Sequence, residues 1–462
     1  MRSLKWVVLI LTGVTYLALT LYSDYFDSLK EVLTSHLNFD STDYGIFQSA
    51  YSFPNVFLAM TIFGGIAVDK LGIRLSGSIS VILTLFGALV ASYATDSYFL
   101  NGGFLYHFLN SFLKNFSPAL KLMSIGFFFV GLGLENANLI ITKIIVRWFE
   151  GSEMALAISI NISLARLGTA IAISLAPYFI TIFGFSMGIW LGFWMVVIGV
   201  ITFFIYVLIE TRRVKKERAL RLNQKEEVKV DTKPEEDETF RWRDVKKMLK
   251  NPSFIYITLL CLTFYSAFIP FLKYAPDLLH NKFHFSLTQS GLFTSALPIG
   301  TIIFGPLFAL FVDYKGKAVS LMILGAILMI LAYLFLGLTN FSPVVSFVCL
   351  GAAFSLVPAA MWPSVARISP LKTLGTAYGV IFFIQNFGLW LFSFLPGYIL
   401  DVTNPGVTPK LIASGKAFYN YTWTILILLL LGVLGLIFAL LLYRTNKKNK
   451  HGLNKPIEVQ GS

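Results

Sequence analysis

The sequence predicts an all-α membrane protein in which twelve transmembrane helices form two six-helix bundles. Three observations favour this fold: an excess of apolar residues, twelve long apolar runs and an internal repeat. Of the 462 residues, 56% are hydrophobic and only 13% are charged, whereas soluble domains carry roughly 25% charged residues. A water-soluble fold of this size could not bury so much apolar surface, and the composition therefore favours a lipid bilayer.

The apolar runs have the length of membrane-spanning helices. A helix that crosses a bilayer needs about 20 mostly apolar residues. Helices suit the bilayer because every backbone polar group must be bonded within the segment. The predicted spans are 5–26, 44–68, 75–95, 119–148, 153–183, 187–210, 253–277, 287–312, 318–338, 343–369, 373–400 and 418–443.

The charged segments divide the chain into four parts. Residues 1–210 and 253–443 hold six predicted spans each, and these form the two bundles. Residues 211–252 are rich in charges and predict a solvated cytoplasmic linker. Residues 444–462 predict a basic cytoplasmic tail. The two cysteines, Cys261 and Cys349, lie inside apolar runs and are expected to be buried thiols.

The distribution of Lys and Arg predicts the orientation in the membrane. The net charge is +13, and most basic residues fall in the linker, the tail and the loops of one side. Cytoplasmic loops carry the excess of Lys and Arg, so both termini are expected in the cytoplasm. This topology accounts for the positive net charge, so nucleic-acid binding is not needed to explain it. The short loops favour a bacterial inner membrane as the location.

An internal repeat relates the two bundles. The spacing from Asp69 to Asp313 equals the spacing from Gly72 to Gly316, and both pairs follow corresponding spans. Such a six-plus-six parallel repeat is the design of major facilitator transporters, which hold their substrate between the halves at mid-membrane. The repeated loops comprise Gly65, Asp69, Lys70, Gly72 and Arg74 in the first half and Asp313, Gly316 and Lys317 in the second.

The first of these loops resembles the signature of the major facilitator superfamily, G-x-x-x-D-[RK]-x-G-[RK]-[RK]. Only Ile73 departs from the pattern. The resemblance implies a major facilitator fold and a loop that acts in conformational switching, with no role in substrate choice. A tight polar turn between helices is the plainer interpretation of the first loop by itself.

Two opposite charges lie inside the predicted spans, Glu135 in the fourth and Arg166 in the fifth. An ionisable group at the bilayer centre costs at least about 2.5–3.5 kcal/mol, so such residues are functional candidates. At about 1.5 Å of rise per residue, both lie about 20 Å from the cytoplasmic ends of their helices. Two interpretations stay open: an internal ion pair, or separate contacts for the two ends of a zwitterionic solute.

Further polar and aromatic residues are candidates for the same site. Lys273 lies between Pro270 and Pro276 in the seventh span, where the prolines predict a broken helix. Its side chain either faces the site or extends towards the membrane surface. The other candidates for substrate contacts are Tyr51, Asn138, Trp362, Gln385 and Asn386.

Several of these residues stand in segments that resemble the lysosomal dipeptide uniporters of the major facilitator superfamily. The segments are 51–56, 129–135, 163–168, 362–363 and 374–388. The resemblance implies that Glu135 and Arg166 bind the two termini of a peptide. A lysine in the seventh helix is implicated in that family, and Lys273 lies one turn from the matching position, which Pro276 occupies.

The hypothesis from the sequence is a secondary active or facilitative transporter that moves a dipeptide or similar zwitterion by alternating access. An organic anion or sugar transporter of the same fold is one alternative, and a non-transporting membrane receptor or scaffold is another. An enzyme is not expected, and neither is a cofactor or a metal. The expected partners are a small-molecule substrate and the lipid bilayer. The chain is expected to be a monomer, with an accessory membrane subunit as an open alternative.

Overall fold

The structure, a computed structural model, describes residues 2–149, 153–223, 248–369, 374–449 and 453–455. Nearly all of these residues are helical. The first half contains α1 (Arg2–Tyr25), a 3-10 turn (Phe26–Ser28), α2 (Lys30–Leu37), α3 (Ser41–Ala50), α4 (Phe53–Phe57), α5 (Met60–Tyr93), α6 (Ser97–Leu100), α7 (Tyr106–Ser111), α8 (Pro118–Trp148), α9 (Met154–Phe183) and α10 (Phe185–Asn223). The second half contains α11 (Pro252–Phe283), α12 (Leu287–Lys315), α13 (Ala318–Leu338), α14 (Pro343–Ile368), α15 (Leu374–Thr403), α16 (Pro409–Ala413) and α17 (Thr422–Asn449).

Eleven helices in the described ranges are long and apolar enough to cross a membrane. The remaining predicted span, 44–68, is not one continuous helix. It consists of α3, α4 and the first part of α5. One break precedes Pro54, which lacks a backbone donor and stands in the first turn of α4. The other is at Ala59, whose φ of 49° lies in the left-handed region.

One more expectation from the sequence is corrected by the structure. Pro270 and Pro276 lie inside the single continuous helix α11, so the predicted break is absent there. The segment between the third and fourth spans contains the short helices α6 and α7. Other expectations fall on residues that are not described: linker residues 224–247, and tail residues 450–452 and 456–462.

The repeat appears in the backbone as well as in the sequence. Gly72 has a φ of 78° and interrupts the helical backbone of α5, while Gly316 has a φ of 68° and separates α12 from α13. A side chain is strained in this region, which glycine occupies freely. The repeated loops therefore share a glycine with positive φ between two helical segments.

The two halves meet along two pairs of helices, α3 with α15 and α9 with α12. We call the end of the molecule where α1 ends and α17 begins the distal end. The opposite end, where α1 begins and α17 ends, is the terminal end. Successive spans alternate in direction, so residues 26–42, 274–286 and 401–421 all lie at the distal end.

A substitution at Gly72 tests the conformational role of the repeated loop. An added Cβ would meet no atom within 4 Å, so Gly72→Ala introduces backbone strain without a clash. We expect a cost of about 1–3 kcal/mol and a lower melting temperature in detergent. The control is Gly379→Ala, which also has open space but lies in α15 without a positive φ. The control should melt at or above the parent's temperature, and equal effects of both substitutions would contradict the assignment.

Candidate functional site

Glu135 of α8 is bonded to a tyrosine of the broken second span. The Tyr51 hydroxyl donates a hydrogen bond to Glu135 Oε1 at 3.0 Å. Tyr51 reaches α8 because Gly131 leaves room for it: a Cβ at Gly131 would lie 1.9 Å from the Tyr51 carbonyl oxygen. The break before α4 and the glycine in α8 together bring this hydroxyl to the carboxylate.

Arg166 faces the second half of the molecule. Its guanidinium carbon lies 5.2 Å from the centre of the Phe354 ring, a cation–π contact with α14. Within the part of the chain that the structure describes, no ion pair joins Glu135 to Arg166. Tyr16 of α1 lies within electrostatic range of both side chains. The two charges thus border one region without neutralising each other.

A cavity of about 250 Å³ adjoins Arg166 between the two halves. Helix α9 contributes Ser159, Ile162, Ser163 and Arg166 to its wall. Ser159 lies near the start of α9, so the cavity extends from Arg166 towards the terminal end. The rest of the wall comes from the second half: Tyr265, Thr301, Ile302, Gly305, Pro306, Ala309, Phe354, Ser355, Pro358 and Ala359.

Four of the predicted contact residues lie in α8, α14 and α15. Asn386 is buried, and its Oδ1 lies 3.5 Å from Nδ2 of Asn55. Cys261 donates to Gln385 Oε1 at 3.7 Å. The Trp362 indole donates to the hydroxyl of Tyr265 at 3.1 Å, which links it to the cavity wall. Asn138 is half-buried, one turn of α8 beyond Glu135.

Lys273 lies in a buried polar network that crosses between the halves. Its Nζ donates to Gln48 Oε1 at 2.7 Å and lies 3.5 Å from Asp27 Oδ1. Only 9% of Lys273 is exposed, so its side chain does not extend to the membrane surface. The Tyr44 hydroxyl donates to the Lys273 carbonyl, which adds a second link from α3 to α11. The structure thus separates Lys273, in this network, from the cavity beside Arg166.

A second buried ion pair lies farther towards the distal end. Lys30 Nζ lies 2.9 Å from Asp277 Oδ2, and both side chains are almost fully buried. Tyr421 donates to the same carboxylate oxygen. The ammonium group also lies 4.3 Å from the centre of the Tyr419 ring. Lys30 lies between the first and second predicted spans, and its ion pair with Asp277 joins the two halves.

Asp401 of α15 makes a third contact between the halves, at the start of α3. Its carboxylate accepts from the backbone amides of Ser41 at 3.2 Å and Thr42 at 2.6 Å. Carboxylates stabilise helix N-termini, where the amides have no partner within the helix. Gly397 permits this approach, because a Cβ there would lie 2.0 Å from the Ser41 carbonyl oxygen. These three contacts close the distal end of the molecule.

Comparison with known proteins identifies the fold and the family. The family model of the Major Facilitator Superfamily matches residues 8–393 and 274–459. The chain belongs to the major facilitator superfamily. The resemblance and the fold predicted from the sequence are therefore confirmed. Like its relatives, the chain is a membrane transporter and not an enzyme.

Two relatives share most of the chain's length. The lysosomal dipeptide transporter MFSD1 of Danio rerio is 28% identical over 380 residues, which cover 81% of this chain and 76% of that protein. The Homo sapiens protein of the same name is 27% identical over 379 residues, which cover 81% of this chain and 75% of that protein.

Solved structures show the same architecture at low sequence identity. The nucleoside transporter NupG aligns with a TM-score of 0.67 at 13% identity, over 95% of this chain and 99% of that one. A POT family transporter in complex with a thioalcohol conjugated peptide aligns with a TM-score of 0.62 at 15% identity, over 95% of this chain and 96% of that one. These similarities show the fold of this transporter.

The repeated loops of the transporter lie at the terminal end. Lys70 is exposed, and Arg74 donates to the Thr211 hydroxyl at 3.2 Å. The amide of Lys317 donates to the Asn454 carbonyl at 3.0 Å. The backbone is described at Gly65, Asp69 and Asp313, but the side chains of the two aspartates lie outside the part of the structure that is described.

The distal end of the transporter also contains Glu31, a carboxylic acid whose pKa is raised. Burial raises the pKa of the Glu31 carboxyl above its ordinary value, and the nearby charge of Asp277 acts in the same direction. His280 and Lys30 act in the opposite direction, and His280 Nε2 lies 3.4 Å from Glu31 Oε1. A proton therefore neutralises this carboxyl more readily than it would in water.

Sequence reasoning missed several members of the site. Asp24 lies within the predicted first span, and its carboxylate accepts from Thr169 at 2.6 Å and Ser23 at 2.8 Å. Its position in an apolar run was a usable signal. Gln48 and Asp277 also lie within predicted spans and Asp27 lies one residue beyond one, but the partners of all three are distant in sequence, so these contacts could not be predicted. Among the described residues, no group of three or more His, Cys, Asp or Glu side chains could hold a metal ion.

The Lys30–Asp277 pair generates a test of the distal closure. Asp277→Asn removes the carboxylate that contacts the buried ammonium group of Lys30. Such a change costs about 3–5 kcal/mol in a buried pair, so the melting temperature in detergent should fall clearly.

The double variant Lys30→Met/Asp277→Leu is the matched control. Replacing a buried ion pair by apolar side chains is often neutral, and the double variant should therefore melt above the single variant. A single variant as stable as the parent would show that the pair does not hold the halves together.

Proposed function

We propose that this transporter moves a dipeptide or a similar zwitterion across the membrane by alternating access. Glu135 holds the amino group of the substrate and Arg166 its carboxylate. The observation that carries this proposal is the separation of the two charges: they border one region between the halves and form no ion pair with each other.

Electrostatics supports the assignment of Arg166. A charge in the membrane interior is costly unless it is paired, and the described contact of the Arg166 guanidinium is with the face of an aromatic ring. A guanidinium binds a carboxylate through two parallel hydrogen bonds. A substrate carboxylate would therefore supply the partner that the described part of the chain does not.

The Glu135 end suits an ammonium group. Its carboxylate accepts one hydrogen bond from a neutral hydroxyl, and the nearby carboxylate of Asp24 adds negative charge within reach of Tyr51. A primary ammonium group has three donors and no acceptor. The names of the relatives, which are dipeptide transporters, agree with this pair of contacts.

Alternating access supplies the transport step. The distal contacts of Lys30, Lys273 and Asp401 join the halves in the present state, while the cavity beside Arg166 extends towards the terminal end. Opening the distal end requires these contacts to separate together. We propose that the terminal end faces the cytoplasm, because most Lys and Arg residues lie on that side. We also propose that the membrane is a bacterial inner membrane and that one chain forms the transporter.

The alternatives make different demands on the same residues. An organic anion or sugar transporter would use Glu135 to neutralise Arg166, and the absence of that ion pair among the described residues disfavours it. A receptor, or a transporter with an accessory subunit, would retain a membrane partner on purification. A thermal-shift screen separates the substrate classes: zwitterions should stabilise the protein more than simple carboxylates or sugars.

Uptake by proteoliposomes tests the two assigned residues. The purified parent should take up labelled dipeptide, and Glu135→Gln and Arg166→Gln should each lower the rate at least about tenfold, because each removes a charge-assisted contact in a site of low dielectric. The matched control is Arg212→Gln, which removes an exposed arginine of α10. The control should transport like the parent.

The assignment is wrong if Glu135→Gln and Arg166→Gln transport dipeptide as fast as the parent. Uptake of no dipeptide by any variant, including the parent, would reject the substrate class. Protein amounts and melting temperatures are measured for each variant, so that loss of folded protein is not mistaken for loss of transport.

A further inference from the structure

The cavity beside Arg166 is mainly apolar. Its wall holds Tyr265, Ile302, Pro306, Ala309, Phe354, Pro358 and Ala359. Ser159, Ser163, Thr301 and Ser355 also line it, and the hydroxyls of Thr301 and Ser355 donate to a carbonyl of their own helix, at 2.7 Å and 2.9 Å. The guanidinium of Arg166 is the charged group in this wall.

The aromatic part of this wall is held rigidly. Phe354 stacks on the buried ring of Phe268 with the centroids 3.7 Å apart and the planes 4° apart. The hydroxyl of Tyr265 accepts the hydrogen bond from Trp362. Side chains fixed from behind in this way form a preformed pocket, which binds an apolar group without first ordering its own walls.

The surroundings of Glu135 are polar by comparison. Tyr51 donates to its carboxylate, and Asn136 and Asn138 flank it on α8. Asn55 is buried in α4, four residues beyond Tyr51, with no described partner for its Oδ1. The two ends of the proposed site therefore differ in chemistry: one is polar and acidic, and the other combines a guanidinium with an apolar wall.

In a dipeptide, the α-carbon that carries the free carboxylate also carries the C-terminal side chain. A carboxylate bound to Arg166 therefore directs that side chain into the adjoining cavity. We propose that the transporter selects dipeptides with an apolar C-terminal side chain, which occupies the cavity formed by α9, α11, α12 and α14. This inference rests on the proposed function, in which Arg166 binds the carboxylate.

Gly305 offers a direct way to fill this cavity. It lines the cavity wall, and a Cβ built there would meet no atom within 4 Å. It lies within α12, outside the positive-φ region, so a larger residue suits its backbone. Gly305→Leu should therefore occupy the space of the substrate side chain while leaving the packing of the helices intact.

The control substitution is Gly300→Leu in the same helix. A Cβ at Gly300 would approach only Phe304, at 4.0 Å, and Gly300 does not belong to the cavity wall. Both substitutions replace a helical glycine by leucine in α12. Any general effect of the larger side chain on folding or helix movement should appear in both variants.

The experiment compares Gly-Leu with its sequence isomer Leu-Gly in proteoliposome uptake. These dipeptides have the same composition, and only the position of the side chain differs. The parent should transport Gly-Leu faster than Leu-Gly. Gly305→Leu should lower Gly-Leu uptake at least about tenfold, as expected when an apolar pocket loses the space for its ligand, and should change Leu-Gly uptake much less. Gly300→Leu should leave both rates near those of the parent.

The possible results distinguish an error in the C-terminal subsite from an error in the proposed function. If the parent transports dipeptides but Gly305→Leu lowers both isomers alike, or lowers Leu-Gly more, the C-terminal subsite is wrong while the proposed function stands. A Gly305→Leu variant that transports both isomers like the parent also rejects the subsite. If the parent transports neither isomer, nor any other dipeptide, the proposed function itself fails. Melting temperatures of both leucine variants verify that they are folded.

Discussion

The structure depends on the cost of burying charged side chains away from water. That cost is relieved at the distal end by partners from the opposite half: Asp277 for Lys30, and Asp27 with Gln48 for Lys273. Burial of both partners makes each pair sensitive to separation, because an isolated charge left behind is strongly destabilising. The halves are therefore joined by contacts that must break as a group when the distal end opens.

The centre of the molecule follows the opposite pattern. Glu135 bonds to a neutral hydroxyl and Arg166 lies over an aromatic ring, and neither charge neutralises the other. Small residues make this arrangement possible, since Gly131 admits Tyr51 to α8. The transporter thus holds paired charges at its distal end and two separate charges at its centre, which are the charges that the proposed zwitterionic substrate would contact.

Much of the fold could be predicted from the sequence because its signals are local. A long run of apolar residues predicts a membrane span. The equal spacing from Asp69 to Asp313 and from Gly72 to Gly316 relates the two halves, and both glycines have a positive φ in the structure. The broken second span was missed because its apolar composition conceals the left-handed turn at Ala59. Continuity of α11 was missed because local proline signals do not report the tertiary packing that holds a helix intact.

The candidate site could be predicted only in part, for the same reason. Glu135 and Arg166 stand out because charge inside an apolar run is a local signal. The distal pairs do not, since nothing near Lys30 in the sequence indicates Asp277. The apolar character of the cavity beside Arg166 is likewise a product of tertiary structure, because its wall combines residues of α9, α11, α12 and α14.

The most direct test of the central claim measures how blocked dipeptides bind. Affinities of free Gly-Leu, its N-acetyl form and its C-terminal amide would be measured by calorimetry for the parent, Glu135→Gln and Arg166→Gln. The account predicts that acetylation weakens binding to the parent at least about tenfold but has little effect on Glu135→Gln. Amidation should likewise weaken binding to the parent and have little effect on Arg166→Gln. Equal affinity of the parent for free and blocked dipeptides would contradict the account.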